Sequence, residues 1–163
     1  MKTLYLVRHA KSSWEDLAKE DHERDLLPKG EKRTRRIVTY LKKQQVAPDL
    51  IVSSHALRAY ATACILAEGL GYSREEILID SQLYFSGAQA IENVVYGLPD
   101  NRNHVMLVGH NPDMTRFANV FLDEKVDYMP TSAVVCIRFM TDKWENIMMA
   151  AREIPFVVFP KDL

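Results

Sequence analysis

The stretch Leu4-Tyr5-Leu6-Val7-Arg8-His9-Ala10-Lys11 decides how the rest of the chain is read. Its apolar front half reads as a buried strand, and it stops abruptly at two basic side chains. In an open α/β sheet, ligands bind just beyond the carboxyl ends of the strands. Arg8 and His9 are therefore expected where such folds do chemistry. A guanidinium is always charged and forks onto phosphate oxygens, and a neutral imidazole can act as a nucleophile toward phosphorus. Side by side they suggest a phosphoryl acceptor with its own anion clamp. Alone, the dipeptide is a weak motif and reads more readily as a strand end with two solvated residues. The remaining strands have to decide.

Working outward, apolar runs recur at Leu50-Ile51-Val52, Ile77-Leu78-Ile79 and Val105-Met106-Leu107-Val108. Helices are expected between them. The first, from about Gly30 to Gln45, carries an apolar stripe of Ile37, Val38 and Leu41 on an otherwise basic surface. The second runs from about Ala56 to Leu70 and the third from Ala88 to Tyr96. A fourth places Met114, Phe117, Ala118 and Phe121 on one face, with Pro112 at its first position and Asn111 capping it. Ala133–Met140 and Ile147–Ala151 read as an edge hairpin, and the tail from Ile154 onward has no assigned element. Alternating strands and helices predict a three-layer α/β/α fold, with a mostly parallel central sheet and an antiparallel edge strand.

At 163 residues the chain is expected to form one domain, residues 1–163, large enough to bury a core without staples. Hydrophobic content of 47% and charged content of 26% exclude disorder. A net charge of −1 gives no global reason to expect nucleic acid or an anionic membrane. The basic helix lacks the interleaved aromatics of a nucleic-acid groove and reads as a solvated face, or else as a dock for an acidic protein. Cys64 and Cys136 sit apart in apolar runs, as core residues of a reduced cytoplasmic protein. No signal peptide or membrane span is expected.

Three strand ends carry chemistry: Arg8-His9, then Arg58 in the first turn after the second strand, then Gly109-His110. Arg58 is unfavourable with a helix dipole unless an anion offsets it, and backbone donors at that helix start favour phosphate. Two arginines and two histidines around a point make a site for a dianionic phosphoryl group. Other phosphate chemistries lack their signatures: there is no Walker loop, no Asp-x-Asp, and no arginine six residues after either cysteine. No metal or cofactor is expected.

Leu6-Val7-Arg8-His9, Ser53-Ser54-x3-Arg58-Ala59-x2-Thr62 and Val108-Gly109-His110-Asn111 together resemble the three signatures of the histidine phosphatase (phosphoglycerate-mutase-like) superfamily. The short length and Arg24-Asp25-Leu26-x-Pro28-x-Gly30 resemble its SixA-type phosphohistidine phosphatase subgroup. The resemblance implies that His9 accepts the phosphoryl group, that Arg8, Arg58 and His110 bind it, and that Arg24 completes the pocket. It departs from the family at Ala10, where glycine is usual, and in the short Asp80–Ala90 segment, where no acid donor can be assigned. Glu92 reads as well as a surface residue. An alkoxide leaving group needs protonation, whereas an imidazole departs much more readily from a phosphoramidate, so the gap favours phosphohistidine on a protein over a sugar phosphate. A small-molecule phosphoester phosphatase and a non-catalytic phosphate-binding module stay open as alternatives. The expected partner is a phosphorylated protein or a small phosphorylated substrate; oligomeric state is not legible.

Overall fold

A computed structural model describes residues 1–16 and 18–163. Leu17, inside the long polar loop expected from Lys11 to Arg24, lies outside the described residues. Among the described residues six strands form one sheet: β1 (Lys2–Arg8), β2 (Leu50–Ser53), β3 (Leu78–Ile79), β4 (His104–Gly109), β5 (Val134–Phe139) and β6 (Arg152–Val158). Their order is β3-β2-β4-β1-β5-β6. The first four run parallel, and β5 and β6 add antiparallel to the β1 side. Helices α1 (Pro28–Lys43), α2 (Leu57–Leu70), α3 (Ala88–Tyr96) and α4 (Asp113–Phe121) cover the two faces.

The continuous apolar runs follow from burial on both faces of a parallel sheet. In β1, Leu4 and Leu6 join the α3/α4 core, while Tyr5 and Val7 join the α1/α2 core. The expected stripe of α4 is buried throughout, at Met114, Phe117, Ala118 and Phe121. Ile37, Val38 and Leu41 of α1 are buried as well, leaving its basic residues outward. That helix starts at Pro28, two residues before the expected Gly30, because proline suits a first turn that has no use for its N–H.

The edge hairpin needs correction. Its second strand is not Ile147–Ala151, which turns, but Arg152–Val158, which contains most of the apolar tail. Pro155 made that run read poorly as a strand. It is accommodated because β6 is an edge strand and the register skips between Cys136 and Arg138, opposite Ile154 and Pro155.

The register positions the site. Val7 pairs with Val108 and Arg8 with Gly109, so the β1 and β4 motifs end level with one another. Ser53 pairs with Val108 on the other side of β4. The chain leaves β1, crosses through α1 and lands on β2, two places away, leaving a slot that β4 later fills. Such a switch in strand order opens a crevice at the carboxyl edge.

Candidate active site

At that edge lies a pocket of about 400 Å³ whose walls include Arg8, His9, Arg24, Arg58 and His110. All five residues expected from the sequence therefore meet in one place. His9 Nδ1 lies 2.7 Å from the carbonyl oxygen of Ala10. A carbonyl only accepts, so Nδ1 carries the proton and Nε2 keeps its lone pair. Burial, and then the charges of Arg58, Arg8 and Arg24, push the His9 pKa down to about 3. The ring is neutral at physiological pH, with a free lone pair on Nε2.

His110 is fixed in the complementary way. Arg58 Nη2 donates toward its Nδ1 at 3.3 Å, so the proton sits on Nε2 and is donated to Ser54 Oγ at 2.8 Å. Ser54 Oγ also accepts from the Ala56 N–H, which anchors the hydroxyl at the start of α2. Burial, His9 and Arg58 lower the His110 pKa to about 2. The two imidazoles stand 5.0 Å apart, centroid to centroid.

Ala10 takes the place where the family usually has glycine, and it fits. It is fully buried, its N–H donates to Thr62 Oγ1 at 2.9 Å, and Thr62 in turn donates to the Arg58 carbonyl. The threonine of the second motif thus ties the β1 loop to α2. Gly30 serves the next residue. A Cβ at Gly30 would stand 2.4 Å from the Lys11 carbonyl oxygen, so glycine lets α1 pass directly beneath the loop.

The arginines are held by an acid that the sequence did not single out. Asp21, in the short turn Asp21–Glu23, accepts from Arg58 Nη2 at 3.0 Å and Arg24 Nη1 at 2.9 Å, and from the Tyr84 hydroxyl. Its main-chain carbonyl accepts from Arg58 Nη1 at 2.8 Å. Burial would raise its pKa, but the hydrogen bonds from Tyr84, Arg58 and Arg24 outweigh it and hold the carboxyl at about 2. Asp21 sits in an aperiodic loop, and only its place three residues before Arg24 could have flagged it. It is the one carboxylate among the described residues that line the pocket. Glu92, the acid weighed from sequence, is on α3 and accepts from Tyr96 instead.

Arg8 donates to the Met129 carbonyl at 3.2 Å and to the Tyr128 hydroxyl. The Arg24 guanidinium carbon lies over Trp14, 3.2 Å from the ring centre, and Arg24 donates to the Ser13 carbonyl. Two donors remain without partners among the described residues: Arg8 Nε and Arg58 Nε, both buried. Three aromatic side chains rim the pocket and stay exposed: Trp14 at 70%, Tyr128 at 57% and Phe85 at 48%. Phe85 covers His110, with ring centroids 4.7 Å apart. None of the three could be placed from periodicity, because all lie in loops.

A model of the histidine phosphatase superfamily (branch 1) matches residues 4–84, which hold the first two motifs. The chain belongs to the histidine phosphatase superfamily. An uncharacterised chloroplastic protein of Arabidopsis thaliana is 28% identical over 154 residues, covering 89% of this chain and 70% of that protein. Among solved structures, the protein histidine phosphatase SixA complexed with tungstate superposes with a TM-score of 0.82 at 17% identity, over 98% of both chains. A mycobacterial glucosyl-3-phosphoglycerate phosphatase superposes less closely, with a TM-score of 0.65 at 15% identity, over 94% of this chain and 97% of that one. The fold of a histidine phosphatase is thus present over nearly the full length, including the β4 motif beyond the matched segment.

Proposed function

We propose that this chain is a phosphatase that passes the phosphoryl group through His9, with phosphohistidine in proteins as its substrate. The observation that carries the reading is the fixed tautomer of His9, with Nε2 unprotonated in a pocket walled by three arginines. In the first step the Nε2 lone pair forms a bond to phosphorus. The P–N bond to the substrate ring breaks, and that ring keeps the electron pair. In the second step a water oxygen bonds phosphorus and the P–Nε2 bond breaks. The pair returns to His9, and the water protons leave with inorganic phosphate. Throughout, Nδ1–H stays on the Ala10 carbonyl, so phosphorylated His9 departs as a neutral imidazole.

Arg8, Arg24 and Arg58 neutralise the transferring group in this scheme, which gives the reaction no need of a metal ion. The unpartnered Nε–H groups of Arg8 and Arg58 are buried donors that phosphoryl oxygens would satisfy. His110 stands beside His9 as the fourth contact.

Two features favour phosphohistidine over a phosphoester. The only carboxylate in the pocket wall among the described residues, Asp21, is ionised and committed to Arg24, Arg58 and Tyr84, so it is poorly placed to protonate an alkoxide. The aromatic rim of Trp14, Phe85 and Tyr128 suits a flat leaving group. The cytoplasm remains the compartment we propose, on the strength of two free, buried cysteines. No described helix is long and apolar enough to cross a membrane.

Turnover of a phosphohistidine protein, a phosphohistidine peptide and a panel of sugar phosphates, compared at equal concentration, tests the substrate assignment. Phosphohistidine substrates should turn over faster by orders of magnitude. Sugar phosphates turning over equally fast would replace this reading with that of a small-molecule phosphoesterase.

A further inference from the structure

A second groove, of about 240 Å³, opens beside the catalytic pocket and is lined by Arg33, Arg36 and Lys161 over Pro130, Thr131 and Pro160. Thr131 lines both, so the two recesses share a wall. The groove is assembled from three elements: the outer face of α1, the loop around residues 130–132 and the turn Pro160–Asp162. Thr34 and Ser132 fasten the first two by a hydroxyl–hydroxyl hydrogen bond of 2.8 Å. The Ser132 N–H donates to the carbonyls of Arg8 and His9, at 3.0 and 3.1 Å. The loop that floors the groove therefore hangs from the strand end that carries the proposed nucleophile. Two prolines and this double anchor fix the floor relative to His9.

The charge of the groove is one-sided. Three cations line it and no acid does; Asp162, next to Lys161, is exposed and points to no partner among the described ion pairs. Arg35, on the same helix, pairs with Glu31 at 3.7 Å, whereas Arg33, Arg36 and Lys161 form no ion pair among the described residues. Arg33 and Arg36 are neighbours at i and i+3, an arrangement of like charges that costs helix stability. The chain as a whole is slightly acidic, at −1, so this concentration is local.

We infer that this groove is a subsite for a second anionic group carried by the phosphorylated substrate. The inference rests on the reading that the neighbouring pocket takes the phosphoryl group. The second anion is either a carboxylate close to the phosphorylated histidine of a protein or the second phosphate of a small molecule. Both present oxygens to the guanidinium forks of Arg33 and Arg36.

Calorimetric binding separates the possibilities without depending on turnover. The probes are peptides carrying a phosphonotriazole mimic of phosphohistidine, flanked by aspartates or by asparagines, and a series of alkanediol bisphosphates with their monophosphate counterparts. Wild-type protein should prefer the doubly anionic member of at least one pair by roughly tenfold, the sum of two exposed ion pairs. The preference should vanish in Arg33→Ala/Arg36→Ala and fade in ~0.5 M salt. It should survive in Lys42→Ala/Lys43→Ala at the far end of the same helix. A preference confined to the peptides assigns the carboxylate; one confined to the bisphosphates assigns the second phosphate. No preference in either pair, or one that persists in the double arginine variant, overturns the inference. Wild-type hydrolysis of phosphoimidazole, followed in parallel, reports on the catalytic reading alone. Its absence would sink that reading and leave the affinity ratios to judge the groove.

Discussion

The carboxylate of Asp21 and the guanidinium of Arg58 lie 3.0 Å apart, and the Asp21 main-chain carbonyl takes a second hydrogen bond from the same arginine. The aspartate thus balances a guanidinium that is only 2% exposed. Removing its charge leaves Arg58 buried and partly unpaired. Asp21→Asn should lower stability by about 1–2 kcal/mol, less than a fully buried pair because Asp21 itself is partly solvated. Inorganic phosphate, supplying the missing anion, should stabilise the variant more than the wild type. Melting curves with and without phosphate check this; equal phosphate responses would show that Asp21 and phosphate do not share Arg58.

Arg58 should be worth on the order of 10³-fold in kcat, as arginines are in other phosphoryl transfers. Arg58→Lys should recover little of it, because an ammonium cannot make a two-pronged contact. Steady-state kinetics on phosphohistidine peptide measure both. A lysine variant within a few-fold of wild type would reduce Arg58 to a simple point charge.

Stability should fall as the pH drops below about 6.5. His9 and His110 have folded-state pKa values pushed down to about 3 and 2, while unfolded histidine titrates near ~6.5. Between those values the unfolded state binds more protons than the native one, so stability rises with pH across that window and is fully present above it. Thermal melts from pH 7.5 to 4.5 should show this slope, and His9→Asn should flatten it by about one proton. Asp21 acts lower: its depressed pKa contributes stability that is lost only as pH falls from about 4 toward 2. A histidine imidazole NMR titration with both rings charging near pH 6.5 would contradict the burial described for them.

Gly30→Ala tests the packing beneath the β1 loop. The added methyl would meet the Lys11 backbone, which cannot swing aside like the end of a side chain. A loss of about 1–3 kcal/mol is expected, as for overpacked interiors, together with reduced turnover as the Ala10–Lys11 backbone shifts under His9. An alanine variant as stable and active as wild type would mean the loop is free to lift.

Much of this was legible in the sequence because strands buried on both faces write themselves as continuous apolar runs. Three strand ends, with Arg8-His9, with Arg58 in the turn that follows, and with Gly109-His110, then placed the chemistry. The level ending of β1 and β4, with Arg8 beside Gly109, was not legible, since register depends on pairing between distant segments. Asp21, Trp14 and Tyr128 were hidden for a related reason. Loop residues carry no period, and their roles arise from what lands opposite them, as Tyr84 and Arg58 land on Asp21. Pro155 concealed β6, because a proline argues against a strand unless the strand is known to lie at an edge.

The proposed reaction passes through a covalent phosphoryl group on His9 Nε2. Rapid quench of the wild type with radiolabelled phosphohistidine substrate, at base-stable pH and followed by peptide mapping, tests it most directly. Label should appear on the peptide containing His9, formed and discharged within a turnover, and neither label nor turnover should be seen in a folded His9→Ala variant. Steady turnover in His9→Ala, or wild-type label on any other residue, would contradict it.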